Sequence, residues 1–191
     1  MKTESNFLYI LRLTVTLLLI CAVMAAALAG VNAITKDKIA AVKLEKTMAA
    51  LEKVLPGVTG LEQVELTGET GIVRTVYASG NSYAVEVVPT GFGGEITLMV
   101  GITDGKVTGI SVISHAETPG LGAVAAANTD KGVSFREQFE GLVAGITIGD
   151  GENQIDALSG ATITSTAIVD GVNAALDCVG NFEIWVKEGA E

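Results

Sequence analysis

The residues best suited to chemistry lie in Asp156-Ala157-Leu158-Ser159-Gly160-Ala161-Thr162-Ile163-Thr164-Ser165. Three small residues, Ser159, Gly160 and Ala161, lead to Thr162, just before a helical pattern begins. A helix start has N–H groups without intrahelical partners and the positive end of the macrodipole, so a phosphate would be favoured there. Ser159 and Thr164 carry hydroxyls able to donate to phosphate oxygens, or equally to satisfy the nearby backbone. A plain loop in which Ser or Thr caps the helix explains the same residues, and on residue type alone it is the simpler account. A second candidate is His115-Ala116-Glu117-Thr118-Pro119-Gly120-Leu121-Gly122, a turn shaped by its proline and glycines. A third is Gly91-Phe92-Gly93-Gly94, whose glycines suit a close backbone approach, a bulge or a positive φ.

Several elements must position these segments. Ile72 to Ser79 and Ser82 to Val88 read as strands joined at Gly80-Asn81, and Glu95 to Thr103 and Lys106 to Ser114 as strands joined at Asp104-Gly105. Two successive hairpins of one antiparallel sheet are expected. Looser helical segments follow at Leu121 to Ala127 and Phe135 to Phe139, then a glycine-rich loop from Gly141 to Gly151. From Ser165 to Val179 one face carries Ile168, Val172, Ala175 or Leu176, and Val179, as a helix would. Phe182 to Val186 reads as a closing strand. The class is α+β, an antiparallel sheet with packed helices.

Ahead of this domain, no charged residue occurs from Leu13 to Thr35, and about 20 apolar residues suffice to span a hydrocarbon core. The expected organisation is a tail at 1–12, a transmembrane anchor at 13–35, an amphipathic linker helix at 36–56 and a domain at 57–191. In the linker, Ile39, Val42, Met48, Leu51 and Leu55 form the apolar stripe, and Pro56-Gly57 ends it. A cleaved signal peptide ending near Val31-Asn32-Ala33 is the competing reading, but the apolar run exceeds the ~7 to 15 residues of an h-region. Ile20 before Cys21 disfavours a lipoprotein.

Composition removes other classes. The 12 Lys and Arg against 22 Asp and Glu give a net charge of -10, with the acids mostly beyond residue 60, so no nucleic acid is expected as a partner. Two cysteines, Cys21 and Cys178, and one histidine, His115, are too few for a closed zinc site or an iron-sulfur cluster. Redox chemistry would need an organic cofactor. The glycine spacing of a dinucleotide-binding strand-to-helix unit is absent.

The run Asp156 to Thr162 resembles the flavinylation motif, Asp-x-x-Ser/Thr-Gly-Ala-Thr, of the FMN-binding domain shared by the G subunit of the Rnf complex and the C subunit of the sodium-pumping NADH:quinone oxidoreductase. Gly91 to Ile96, Met99 to Ile102, His115 to Gly122, Phe135 to Phe139 and Ile155 to Ser165 are similar to family segments in the same order, so the resemblance covers nearly the whole chain. The short chain and the Gly91 to Gly94 turn look more like the Rnf branch.

The resemblance implies FMN joined to Thr162 by a phosphoester. It also implies a separate magnesium-dependent flavin transferase that takes FMN from FAD, since a threonine hydroxyl needs activation and no base is evident beside Thr162. Ser159, Gly160, Ala161 and Thr164 would surround the phosphate, and Glu117, Thr118, Leu121 and Gly122 would contact the ring or ribityl chain. His115 and Glu117 would tune the flavin. No catalytic or metal-ligating residue is assigned.

The implied role is an electron-carrying subunit, beside the other integral-membrane and redox subunits of the Rnf complex, in coupling electron transfer between ferredoxin and NAD to Na⁺ or H⁺ movement. The alternatives are the C subunit of the NADH:quinone oxidoreductase, a stand-alone secreted flavin reductase, and a non-redox membrane-anchored scaffold. The expected placement is single-pass in the cell membrane, with the N-terminus cytoplasmic and the FMN domain outside. Lysines 36, 38, 43 and 46 argue for the opposite orientation, although large domains translocate largely regardless of charge.

Overall fold

The structure is a computed structural model that describes residues 3–64 and 71–181. The chain divides into two compact units, Met1–Glu45 and Lys46–Glu191. Helix α1 (Thr3–Val54) runs through the first and opens the second. In the first unit Leu17, Leu18, Ile20 and Val23 are all exposed. Thr14 and Thr16 donate their hydroxyls to the carbonyls of Ile10 and Arg12, at 3.0 and 2.8 Å. Such back-bonding satisfies a hydroxyl without water, as a lipid surface requires. By length and composition α1 can cross a membrane.

The expected anchor and linker are parts of this one helix. Neither Pro nor Gly occurs between Val31 and Leu55, and the helix stops just before Pro56 and Gly57, the latter at φ +75°. Its docking face differs from the expected stripe. Thr47, Ala50, Leu51, Val54 and Leu55 are buried, whereas Ile39, Val42 and Met48 are exposed. Positions 47, 50, 51 and 54 share one side at helical spacing, and Met48 is turned about 100° from Thr47. The buried side includes a threonine and an alanine, which a search for large apolar residues passes over.

Five strands follow in sequence order as one antiparallel sheet: β1 (Glu62–Val64), β2 (Val73–Ser79), β3 (Ser82–Val87), β4 (Thr97–Thr103) and β5 (Lys106–Ser114). The two expected hairpins are β2–β3 and β4–β5. In the second, Asp104 and Gly105 both take positive φ, +52° and +75°, as a type I′ turn demands. Asn81 Nδ2 donates to Asp104 Oδ1 at 2.9 Å, tying the two turns together. β1 is too short to carry an alternating signal and was not expected.

Side-chain alternation gives the sheet two apolar faces. Val85, Val87, Leu98, Val100 and Ile102 meet Ile168, Val172, Ala175 and Leu176 of helix α3 (Thr162–Gly180). Ala84 and Met99, on the other face, meet Leu51, Val54 and Leu55. The class is therefore α+β, with helices on both sides of the sheet. Cys178 is buried in the α3 core, and burial pushes its thiol pKa up, so it packs as a small apolar residue.

The α1 end approaches the sheet over Gly101 and Gly109, which face each other across β4 and β5. A side chain on Gly101 would run into the Val54 carbonyl and the Thr108 hydroxyl, which themselves form a 2.6 Å hydrogen bond.

Between β5 and α3 lie a 3₁₀ turn (Gly122–Ala126) and helix α2 (Asp130–Glu137), where the looser helical segments were expected. α2 starts earlier than its apolar pattern suggested because Thr129 Oγ1 accepts from Gly132 N–H and caps it. The expected loop at Gly141 to Gly151 contains a short strand, β6 (Thr147–Ile148), parallel to β7 (Gln154–Ile155). Asn173 of α3 holds this region, accepting from Gly145 and Ile146 N–H and donating to the Ile146 carbonyl. The strand expected at Phe182 to Val186 lies outside the described residues.

Gly101→Val should destabilise the fold by roughly 1–3 kcal/mol through overpacking against the α1 end. Chemical denaturation of the detergent-solubilised chain measures this, and an unchanged midpoint would contradict the close approach.

Candidate functional site

The site forms where α3 begins. Thr162 is the first residue of the helix, three residues earlier than the Ser165 start expected from its apolar face. The capping position falls on Ala161, and no side chain caps the helix. This overturns the reading of the segment as an ordinary Ser- or Thr-capped start: neither type occupies the cap, and both neighbouring hydroxyls are engaged elsewhere. Thr164 Oγ1 donates to Glu117 Oε2 at 2.6 Å. Ser165 Oγ donates to the Ala161 carbonyl at 3.1 Å and accepts from Leu158 N–H at 2.9 Å. The leading N–H groups of α3 are thus left to a ligand or to water.

The turn before the helix is fixed from several directions. Ala161 N–H donates to the Leu158 carbonyl at 2.9 Å, and Gly160 takes φ +74°. A Cβ at Gly160 would be strained and would press on Leu121. Upstream, the Gln138 carboxamide grips the Asp156 backbone, accepting from its N–H at 2.7 Å and donating to its carbonyl at 3.4 Å. Arg136 braces the end of the 3₁₀ turn, with Nη1 donating to the carbonyls of Ala125 at 2.7 Å and Ala127 at 3.0 Å. Burial lowers the Arg136 pKa, though a guanidinium stays charged.

These segments enclose a cavity of about 370 Å³ lined by Phe92, Thr118, Leu121, Gly122 and the first turn of α3, with Glu117 among them. Its size is within the range of roughly 300–1,000 Å³ typical of small-molecule sites. Of the five large apolar side chains exposed among the described residues beyond 60, three surround it: Phe92 at 70%, Leu121 at 45% and Ile163 at 57%. Exposed apolar residues gathered at one cavity mark a binding surface for a largely apolar ligand.

Of the expected site residues, Gly160, Ala161, Thr162, Thr164, Glu117, Thr118, Leu121 and Gly122 all line the cavity. Ser159 does not. It is exposed, one residue before the Gly160 turn. Thr164 is buried with its one hydroxyl hydrogen committed to Glu117, so it is not the free donor to a phosphate that its residue type suggested. Thr162 is exposed at the rim. Phe92 and Ile163 were not expected as lining residues, and Gln138 and Ser165 were not expected as supports. An aromatic residue between glycines and an isoleucine just after the key threonine were the signals available.

Comparison with known proteins agrees with this geometry. The FMN-binding domain model matches residues 91–177, and that of the RnfG N-terminal region matches residues 1–54. The G subunit of the Na(+)-translocating ferredoxin:NAD(+) oxidoreductase complex of Acetobacterium woodii is 32% identical, over 94% of this chain and 96% of that one. The chain belongs to the family of G subunits of ion-translocating oxidoreductase complexes. The G subunit of the Methanosarcina acetivorans complex is 35% identical over 89% of this chain and 94% of its own. That of the proton-translocating ferredoxin:NAD(+) oxidoreductase complex of Clostridium ljungdahlii is 40% identical over 54% and 57%. The FMN-binding match contains every residue lining the cavity, and the N-terminal match corresponds to α1.

FMN fits the cavity of this family member on structural grounds. An uncapped helix start suits its phosphate, and the exposed Phe92, Leu121 and Ile163 suit its ring system.

Ser165→Ala should cost about 1–3 kcal/mol, because it leaves the Leu158 N–H without its partner. Denaturation of the detergent-solubilised chain checks this, and a loss below about 0.5 kcal/mol would mean that water replaces the hydroxyl.

Proposed function

We propose that this chain is the flavin-carrying electron relay of a membrane complex that couples electron transfer between ferredoxin and NAD⁺ to Na⁺ or H⁺ translocation, with FMN esterified to Thr162. The names of its relatives support the complex and the reaction, and they include both a sodium- and a proton-translocating member. The observation that carries the attachment is the exposed Thr162 at the uncapped start of α3, on the rim of the cavity.

In the attachment step, Thr162 Oγ forms a bond to the FMN phosphorus of FAD. The pyrophosphate P–O bond breaks, and AMP leaves with the electron pair. The hydroxyl proton passes to a base on a separate magnesium-dependent transferase, and nothing is oxidised or reduced. The lining residues include no general base next to Thr162, and Glu117 is already bonded to Gly93 and Thr164. The absence of a free base among the described lining residues supports external activation. The exposure of Asp156, whose backbone Gln138 holds, supports a part for its carboxylate in recognition by that enzyme.

Once bound, FMN supplies electron-transfer chemistry of its own. The α3 start would hold the phosphate, Phe92, Leu121 and Ile163 would keep water from the ring, and the fixed Gly160 turn would set its height. We assign residues 13–35 as the membrane-spanning part of α1, the N-terminus to the cytoplasm and the FMN domain to the outside. The other integral-membrane and redox subunits of the complex are its partners.

With the transferase and FAD supplied, the wild-type chain should gain the mass of one FMN less water and fluoresce in a denaturing gel. Thr162→Ala should do neither, and Thr162→Ser should retain both. An unmodified wild type would favour the scaffold, and flavin on Thr162→Ala would move the attachment elsewhere. For orientation, a cysteine introduced at the exposed Glu152 should react with a membrane-impermeant thiol reagent added to intact cells. Labelling only after lysis would reverse the assignment.

A further inference from the structure

The Glu117 carboxylate is the best-defined polar feature of the cavity, and its arrangement differs from that of a simple ligand contact. It is 6% exposed, and both oxygens accept: Oε1 from Gly93 N–H at 2.9 Å and Oε2 from Thr164 Oγ1 at 2.6 Å. Its own N–H donates to His115 Nδ1 at 3.1 Å. Space for the group comes from two glycines. A Cβ at Gly91 would collide with Oε1, and one at Gly122 with Oε2. Behind it lie Ile96, Val112, Ala125 and Ile168, with His115 beside them.

Neither partner of the carboxylate is a cation, and Glu117 is the one charged side chain among the ten that line the cavity. This largely apolar backing leaves its field less screened on that side, so a charge placed in the cavity feels it more strongly than it would in water.

We propose that Glu117 is a positioning and tuning residue, holding the Gly93 loop and the start of α3 together while its negative charge makes reduction of flavin in the cavity harder. This rests on the FMN reading above. Electrons added to a flavin bring negative charge, or a proton must follow them. A fixed carboxylate nearby opposes the first course, so the midpoint potential falls.

Two substitutions separate the charge from the hydrogen bond. Glu117→Gln keeps the shape: its carbonyl oxygen accepts from Gly93 N–H, and its amide donates to Thr164 Oγ1, but the charge is gone. Thr164→Val removes the same hydrogen bond and keeps the charge. In spectroelectrochemical titration of the flavinylated full-length chain, Glu117→Gln should raise the midpoint potential, and Thr164→Val should leave it unchanged or lower it. No rise in Glu117→Gln, or an equal rise in both variants, overturns the proposal.

Should Glu117→Gln fail to fold or to take flavin, the wild type still decides the matter. Its redox-difference infrared spectrum should contain a carboxylate band that shifts on flavin reduction, because Glu117 is the only acid among the described residues that line the cavity. A spectrum without one sinks the proposal. A wild-type chain that carries no flavin would instead sink the FMN reading, so the two failures are distinguishable.

Discussion

Three stretches of chain that are distant in sequence meet at one buried carboxylate. The Gly91–Gly94 loop reaches it through the Gly93 N–H, the first turn of α3 through the Thr164 hydroxyl, and the 115–122 loop carries it as Glu117. Burying an acid is unfavourable unless its oxygens are hydrogen-bonded. Here each oxygen has a short partner and glycines make the room, so the group holds the three segments together rather than forcing them apart. The cavity exists because this junction holds the walls at a set separation, and the α3 start enters it because Thr164 is bonded there.

The sheet makes that junction possible, and most of the sheet was legible in the sequence. β-Branched alternation and paired turn residues located four strands to within two residues, because one-residue slips would have moved Val85, Val87, Leu98 and Val100 out of the core. What was missed has little local signal. β1 spans only Glu62–Val64, and β6 and β7 are two residues each, stabilised by tertiary partners such as Asn173 rather than by pattern. The docking face of α1 was misread for a related reason. It is set in part by the glycine slot at Gly101 and Gly109, where the helix backbone at Lys53 and Val54 comes down on the sheet and the Val54 carbonyl accepts from Thr108.

The site was legible as a set of segments but not as a set of roles. Gly160, Ala161 and Thr162 of the Asp156 to Thr162 run and Glu117, Thr118, Leu121 and Gly122 of the 115–122 loop line the cavity, because small residues and glycines mark where a backbone must come close. Which hydroxyl does what is decided across the fold. Thr164 and Ser165 look alike in sequence, yet one serves the acid of a distant loop and the other closes the turn before its own helix. Ser159, next to Gly160 in sequence, is exposed and outside the cavity lining, which only the folded chain reveals. No period or composition encodes these assignments.

The electrostatics of the cavity bear on why an ester would be used at all. A phosphate monoester carries about −1.5 to −2 charges near neutral pH. Against that, the lining residues offer the α3 start, equivalent to roughly half a positive charge, and no lysine or arginine, while Glu117 adds a negative charge. Non-covalent FMN would be held chiefly by its ring against Phe92, Leu121 and Ile163, all partly open to solvent. Esterification to Thr162 would cut the phosphate charge to about −1, closer to what the helix end can balance, and make retention independent of affinity. The same cavity, lined by no cationic side chain among the described residues, would release a free cofactor and is then compatible with a tethered one. The negative charge of Glu117, a liability for capture, becomes available for setting the potential.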